Sequence, residues 1–236
     1  MGAKARVAVV PQEDKPLVIE EVNLPDPGPT QLIVKQFASG ICHSQIHQLQ
    51  RPRRSPVVLG HESTGIVMKA GSNVGHVKEG DSVLVTWVPR DAENAAALPE
   101  RATLEVSLGL AVSDNVFTWA DHTLVDEQYV VEVDPKLKKD VTAIIGCAVI
   151  TGAGAIICTA DVQEGESVAI FGVGGVGLSA VAAAKKVGAS KVIAVDIADE
   201  KLEFAARFGA THFVNAAKED PIQAIHNITA HEGKFT

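Results

Sequence analysis

Two cysteines and one histidine are the residues best suited to hold a metal ion. Cys42, His61 and Cys147 offer two thiolates and one imidazole. Such a set leaves a tetrahedral zinc ion one open position, which is typical of a catalytic site rather than a structural one. Their separations are too wide for a finger-type knuckle, so spacing alone favours two buried core cysteines and an unrelated histidine. The local strings GICHSQIH, GHE and GC favour the metal site.

A glycine-rich string predicts a site for a dinucleotide. Gly172, Gly174, Gly175 and Gly177 lie in GVGGVG, between an apolar run and an Ala-rich stretch. Glycines here allow backbone N–H groups to approach a pyrophosphate at a helix N-terminus. Asp196 follows about 20 residues later, where an acid accepts the ribose hydroxyls and repels a 2′-phosphate. The pattern therefore favours NAD over NADP; a glycine turn that only packs a helix on a strand is the alternative.

Two regions with different sequence patterns must position these groups. Up to about residue 135, short strands alternate with Gly- and Pro-containing turns, which predicts a barrel-like all-β unit. Its strands are expected at 5–10, 31–36, 63–68, 81–86 and 129–133, with no firm structure over 88–105. After about residue 140 strands and helices alternate, as in the first half of a doubly wound parallel sheet. Strands are expected at 167–172, 191–196 and 211–215, and helices at 143–159, 178–187, 199–208 and 221–229. The predicted domains are 1–145 and 146–236.

Composition excludes several classes of function. The 236 residues carry a net charge of −8, so the chain has no long-range attraction for nucleic acid. No apolar run approaches the roughly 20 residues of a membrane helix, and the N-terminus lacks a signal-peptide layout. Three cysteines cannot make a disulfide framework. We expect a cytoplasmic protein that binds neither nucleic acid nor membrane.

The motifs together resemble the medium-chain zinc-dependent alcohol dehydrogenase family, in its liver-type and glutathione-dependent formaldehyde dehydrogenase branch. GICHS, GHE, GCAVITG, GVGGVG and VDIADEK stand in the family order over about residues 5–235. The resemblance implies a GroES-like catalytic domain followed by a Rossmann domain, one catalytic zinc ion, NAD, and a small alcohol or aldehyde substrate. It also implies a homo-oligomer for a full-length form.

The resemblance assigns roles to individual positions. It makes Cys42, His61 and Cys147 the zinc ligands and Glu62 the acid beside them. It gives the substrate proton to Ser44, which passes it to His47. The implied cofactor contacts are the four glycines of the string together with His43, Thr151, Val176, Asp196 and Lys201.

The sequence departs from the family at three points. Gln45 stands where many relatives carry an Asp, which removes a charge from the surroundings of the metal. Residues 88–122 hold no cysteine, so we expect no structural zinc. The sequence stops at Thr236, where a fourth Rossmann strand is expected; the strand at 167–172 would then be an open edge, and we expect the chain alone to associate or to bind NAD poorly.

These observations support an NAD-dependent zinc alcohol dehydrogenase that produces an aldehyde or ketone. The alternative is a truncated, non-catalytic paralogue that keeps the fold and binds only a nucleotide or a partner. A zinc-free quinone or enoyl reductase of the same superfamily is a third possibility, although such enzymes lack the complete Cys–His–Cys set.

Overall fold

The computed structural model describes residues 3–11, 15–91 and 102–230. The chain divides into two compact units, Met1–Cys147 and Ala148–Thr236. This division lies two residues beyond the expected domain boundary, so Cys147 is the last residue of the first unit. No firm structure was expected over 88–105, and residues 92–101 of that stretch lie outside the residues that the structure describes.

The first unit is built from two antiparallel-rich sheets. Its elements are β1 (Lys4–Val10), β2 (Val18–Asn23), β3 (Gln31–Ser39), α1 (His43–Leu49), β4 (Val57–Val58), β5 (Ser63–Ala70), β6 (Ser82–Val85), β7 (Thr103–Val106), β8 (Gly109–Val112), β9 (His122–Asp126), β10 (Val130–Glu132) and α2 (Lys139–Thr142). The sheet orders are β2-β1-β4-β8-β7 and β10-β6-β5-β3-β9. The all-β expectation is confirmed, whereas the sequence pattern did not predict β2, β4, β7, β8, β9, α1 and α2.

Each sheet of the first unit buries its own apolar face. Alternating residues of β1 point into one core with Phe117, which is fully buried. The other core gathers around Tyr129, also fully buried, with valines of β3, β5 and β6. Two packed sheets therefore supply rigid strand ends from which the loops carrying Cys42 and His61 emerge.

The second unit is a parallel sheet with helices. Its elements are α3 (Ala148–Gly154), β11 (Ser167–Phe171), α4 (Gly175–Val187), β12 (Lys191–Asp196), α5 (Asp199–Ala206), β13 (His212–Asn215) and α6 (Pro221–Ile228). The strands pair in parallel in the order β11-β12-β13. This β-α-β-α-β-α order confirms the expected start of a Rossmann fold.

The helix expected over 143–159 is not continuous. A 3₁₀ turn spans Ala143–Gly146, α3 begins at Ala148, and a π-helical turn spans Ala155–Thr159. Cys147 lies at the break with φ −140° and ψ −76°, which is not helical. The expectation of one helix was therefore wrong, because the backbone turns at the residue that offers its sulfur to the candidate metal site.

Among the described residues no single helix has the length and apolarity needed to cross a membrane. One bent pair, Lys139–Gly146 with Ala148–Thr159, meets the criterion by length and composition only.

Candidate metal centre and nucleotide site

Three potential ligands converge within the first unit. The ligand atoms of Cys42, His61 and Cys147 all lie within 4.8 Å of one another. The Sγ atoms of the two cysteines, 105 positions apart in sequence, are 3.8 Å from each other. Two sulfurs that each lie about 2.3 Å from a tetrahedral zinc ion are about 3.8 Å apart, so this spacing fits a shared metal ion.

The surroundings of His61 also fit a metal. Its Nε2 atom is buried and has no hydrogen-bond partner among the described residues. A buried polar nitrogen without a partner is costly, and a metal ion satisfies it. Burial lowers the pKa of His61, although Asp114 opposes this effect. The neutral imidazole that results is the form that binds metals.

The thiol of Cys147 is strongly affected by its environment. Burial first, and then the nearby Cys42 and Glu62, raise the pKa of Cys147 to about 12, while a hydrogen bond from Trp87 acts in the opposite direction. Two thiolates this close repel each other unless a cation lies between them. Metal binding at these sulfurs therefore releases protons.

Helix α1 presents the residues expected to move a proton. Cys42 stands directly before its first residue, and the backbone N–H of Cys42 donates to Oε1 of the fully buried Gln45 at 2.9 Å. The Ser44 hydroxyl donates to Cys42 Sγ at 3.3 Å. The rings of His43 and His47 lie one turn apart on the helix, with their centroids separated by 4.9 Å. The helix thus brings Ser44 to the candidate metal centre and places the two histidine rings in contact with each other.

Glu62 is held in a narrow space next to His61. Its side chain is 2% exposed, and a Cβ built on Gly40 would lie 2.6 Å from the Glu62 carboxyl carbon. A side chain at position 40 would therefore force this carboxylate to move. The sequence pattern did not reveal the role of Gly40; its place before Ile41-Cys42 was the available signal.

Helix α1 is fixed at its other end by an arginine that the sequence pattern also did not indicate. The Arg53 guanidinium donates to the carbonyl oxygens of Leu49 at 2.8 Å and of Pro11 at 3.3 Å, and also to that of Gln48. Capping of the last carbonyls by a cation stabilises a helix C-terminus.

In the second unit the glycine string forms a tight turn between β11 and α4. A Cβ on Gly177 would lie 1.9 Å from the carbonyl oxygen of Gly172, so the strand and helix approach too closely for any side chain. A Cβ on Gly174, the residue directly before the first turn of α4, would meet no atom of the described residues within 4 Å. Open space at a helix N-terminus is suited to a phosphate group.

Asp196 closes this turn from the end of β12. Its carboxylate accepts the backbone N–H groups of Val173 at 3.0 Å, Ile197 at 2.8 Å and Ala198 at 3.2 Å. Burial would raise the pKa of Asp196, but these N–H groups and Lys201, 3.9 Å away, lower it. The carboxylate is therefore ionised at neutral pH and fixed to the glycine turn.

The remaining expected cofactor residues lie exposed in the second unit. Thr151 is on α3, and Val176 is in the first turn of α4 with 45% of its surface exposed. The first unit contains the three potential metal ligands together with His43, Ser44, His47 and Glu62, whereas the second contains the glycine turn, Thr151, Val176, Asp196 and Lys201.

Known proteins share this fold and resemble this sequence along most of its length. The family model for the alcohol dehydrogenase GroES-like domain matches residues 28–135, and that for a zinc-binding dehydrogenase matches residues 175–234. An alcohol dehydrogenase class-3 of Cereibacter sphaeroides is 32% identical over 257 residues, which cover 98% of this chain and 68% of that protein. The chain belongs to the medium-chain zinc-dependent alcohol dehydrogenase family.

Other relatives agree in fold and differ in length. An S-(hydroxymethyl)glutathione dehydrogenase of Saccharomyces cerevisiae is 34% identical over 245 residues, covering 92% of this chain. The chain spans 62% of that relative's length. The solved structure of an alcohol dehydrogenase zinc-binding domain protein from Burkholderia ambifaria superposes with a TM-score of 0.89 at 31% identity, covering 97% of this chain and 68% of that one. A zinc-binding dehydrogenase from Sinorhizobium meliloti, solved bound to NADP, has a TM-score of 0.74 at 27% identity and covers 94% of this chain and 65% of that one.

Proposed function

We propose that this chain carries the zinc- and NAD-binding parts of an alcohol dehydrogenase that converts a small alcohol to an aldehyde or ketone. The observation that carries the proposal is the convergence of Cys42, His61 and Cys147 within 4.8 Å. Family membership and the acid-terminated glycine turn support the nucleotide part. The proposed domains are residues 1–145 for catalysis and 146–236 for the nucleotide.

The proposed roles follow from donor chemistry. Cys42, His61 and Cys147 would hold zinc, which supplies Lewis-acid activation of the alcohol oxygen when it is bound. Glu62, buried beside His61, adds negative charge to the metal's surroundings. It thereby tunes the affinity of the site for a cation.

We propose that helix α1 carries the proton away from the substrate. The Ser44 hydroxyl, already beside Cys42 Sγ, would take up the substrate proton while it releases its own proton toward His47, so that the hydroxyl itself stays neutral. His47 is exposed, so it would connect the site to solvent. His43, on the same exposed face, would contact the pyrophosphate through its ring nitrogens.

We propose that the second unit orients the cofactor. Gly172, Gly174, Gly175 and Gly177 would admit the pyrophosphate to the N-terminus of α4, while Asp196 and Lys201 would contact the adenosine ribose. Thr151 and Val176 would pack against the nicotinamide. The ionised Asp196 favours NAD over NADP, because it would repel the 2′-phosphate of NADP. Since one relative was solved with NADP bound, the ratio of the two affinities is to be measured.

A net charge of −8 argues against nucleic acid as a partner. The described cysteines are all free, which is the usual state in the cytoplasm. A homo-oligomer is proposed for a full-length form.

Two single cysteine substitutions, one at a candidate ligand and one away from it, test the proposed function. Cys147→Ser should lower zinc affinity by more than the roughly 10–100-fold cost of losing an outer partner, because it removes a ligand. Cys158→Ser, at an exposed cysteine of the second unit, is the matched control and should bind zinc normally. Zinc content is measured on this chain, and NADH formation over a panel of alcohols on the longest natural product of the gene. Unchanged zinc content and alcohol-driven NADH formation in Cys147→Ser would contradict the proposal.

A further inference from the structure

A third segment of the first unit, which none of the sequence motifs includes, contacts both segments that carry Cys42 and His61. This segment, Thr118–Trp119, lies between β8 and β9 and is called the brace below. Thr118 is 0% exposed. The brace is thus an internal part of the unit, although it belongs to a loop.

The brace holds the chain on both sides of His61. The backbone N–H groups of Thr118 and Trp119 both donate to the carbonyl oxygen of Leu59, at 3.1 and 3.0 Å. The Thr118 hydroxyl lies 3.4 Å from the carbonyl oxygen of Glu62. The residues that precede and follow His61 are therefore tied to one short segment.

The same segment reaches the strand end that leads to Cys42. The Trp119 indole N–H donates to the carbonyl oxygen of Gly40 at 3.3 Å. The Ser39 hydroxyl lies 2.8 Å from that of Thr118 and 3.1 Å from the carbonyl oxygen of Glu62. One hydroxyl pair thus links the end of β3 to the segment that contains His61.

The brace is itself fixed by the two sheets. The Gln36 amide donates to the carbonyl oxygens of Thr118 at 3.1 Å and Ala120 at 2.8 Å. The backbone N–H of Ala8 donates to the carbonyl oxygen of Trp119 at 2.8 Å. Because Gln36 belongs to β3 and Ala8 to β1, the brace takes its position from the rigid part of the unit.

We propose that Thr118 and Trp119 are positioning residues that set the distance between His61 and Cys42 so that both reach one zinc ion. The inference rests on the proposed function. Ligand affinity depends on how well a site is held in its bound geometry, and supports around the ligands commonly change it by 10–100-fold. The brace bonds to the segments of two ligands at once, so loosening it changes their spacing rather than either ligand's chemistry.

The test uses the full chain and measures metal affinity. Thr118→Val removes the hydroxyl and keeps the shape, and it should weaken zinc binding about tenfold in a chelator competition. Thr118→Ser restores the hydroxyl and should bind within about twofold of the unaltered chain. Thr123→Val is the matched control: Thr123 is also 0% exposed, but its hydroxyl has no hydrogen-bond partner among the described residues, so its affinity should not change.

Cobalt supplies a readout that a general loss of stability would not move. The visible absorption of Co²⁺ bound in place of zinc reports ligand geometry, and we expect it to change in Thr118→Val and to return in Thr118→Ser. Thermal midpoints of the metal-free chains are compared in parallel. Normal zinc affinity and an unchanged cobalt spectrum in Thr118→Val would overturn the proposal, as would a Thr118→Ser chain that binds as weakly as Thr118→Val.

A variant that fails to fold, and a chain that binds no metal at all, can each be distinguished from failure of the brace. If Thr118→Val does not fold, Trp119→Phe decides, because it removes the hydrogen bond to Gly40 and keeps an aromatic ring at this position. A few-fold loss in zinc affinity supports the brace, and unaltered affinity overturns it. If the unaltered chain binds no zinc or cobalt, the proposed metal centre itself fails. The brace alone fails when the unaltered chain binds zinc and its variants bind equally well.

Discussion

The carboxyl group of Glu62 occupies the space that any side chain at Gly40 would need. A Cβ on Gly40 would lie 2.6 Å from the carboxyl carbon and 2.7 Å from Oε1. Gly40 does not have a positive φ, so its backbone conformation would accept alanine. A larger residue at position 40 would therefore conflict with one buried side chain rather than with the backbone.

Gly40→Ala should lower the free energy of unfolding by about 1–3 kcal/mol, the usual cost of overpacking. In a Glu62→Ala background the same change should cost little, since the conflicting carboxyl group is gone. Urea unfolding of the metal-free chains in a double-mutant cycle measures the difference. Gly75→Ala, with open space around its Cβ, is the control and should be neutral. Equal costs of Gly40→Ala in both backgrounds would argue against this packing relationship.

Two glycines of the nucleotide turn should respond differently to alanine. Gly177→Ala places a methyl group 1.9 Å from a backbone carbonyl oxygen and should destabilise the chain by about 3 kcal/mol or more. Gly174→Ala meets no protein atom among the described residues, so unfolding should be unchanged while NADH binding weakens, because the methyl group takes space meant for phosphate. Urea unfolding and NADH fluorescence titration measure the two effects. A Gly174→Ala chain with unaltered NADH affinity would remove this turn from the proposed site.

Asp196 should govern the choice of nucleotide. Repulsion between like charges costs several kcal/mol at contact, so the unaltered chain should bind NADH more than about tenfold more tightly than NADPH. Asp196→Ala should reduce this ratio and also lower both affinities, since the Val173 N–H loses its acceptor. Glu203→Ala removes an exposed charge from the same unit and should leave the ratio unchanged. A ratio that does not move in Asp196→Ala would show that discrimination lies elsewhere.

Asp121 should make stability depend on pH in the acid range. Burial would raise its pKa, but hydrogen bonds from His122 and Arg6 dominate and hold the pKa at about 2, below the ordinary 3.8. A depressed pKa stabilises the fold above the ordinary value, and this contribution is lost as the pH falls through about 4 to 2. The difference corresponds to roughly 2 kcal/mol, and because the side chain is 32% exposed we expect about 1–2 kcal/mol.

Asp121→Asn tests this contribution through urea unfolding of the metal-free chain at a series of pH values. The gap between the variant and the unaltered chain should be constant from neutral pH down to about pH 5 and should then narrow. Glu79→Gln, at an exposed acid, should show no gap. A gap that widens on acidification would contradict the assigned direction.

Local pattern predicted the second unit well. Short apolar runs such as 191–196 became strands with the same bounds, because a parallel strand buried on both faces needs a continuous run of apolar residues. The break at Cys147 could not be predicted in this way. Apart from Gly146 its neighbours favour a helix, and no local pattern marks Cys147 as the residue at which the backbone turns.

The candidate metal site could be predicted only in part from the sequence. Cys42 and Cys147 are separated by 105 positions, so spacing alone could not bring them together, and family resemblance supplied the set. The seven-residue helix α1 was missed because its polar residues show little apolar periodicity. Thr118 gave no signal, since its role depends on strands that come from distant parts of the chain.

All three candidate ligands precede residue 148, the start of the second compact unit. During synthesis, the complete donor set has therefore left the ribosome once Cys147 emerges, before any strand of the parallel sheet has itself emerged. Capture of zinc by the nascent chain does not have to wait for the nucleotide-binding half. The position of Cys147 at the end of the first unit thus lets the metal centre form before the second unit folds.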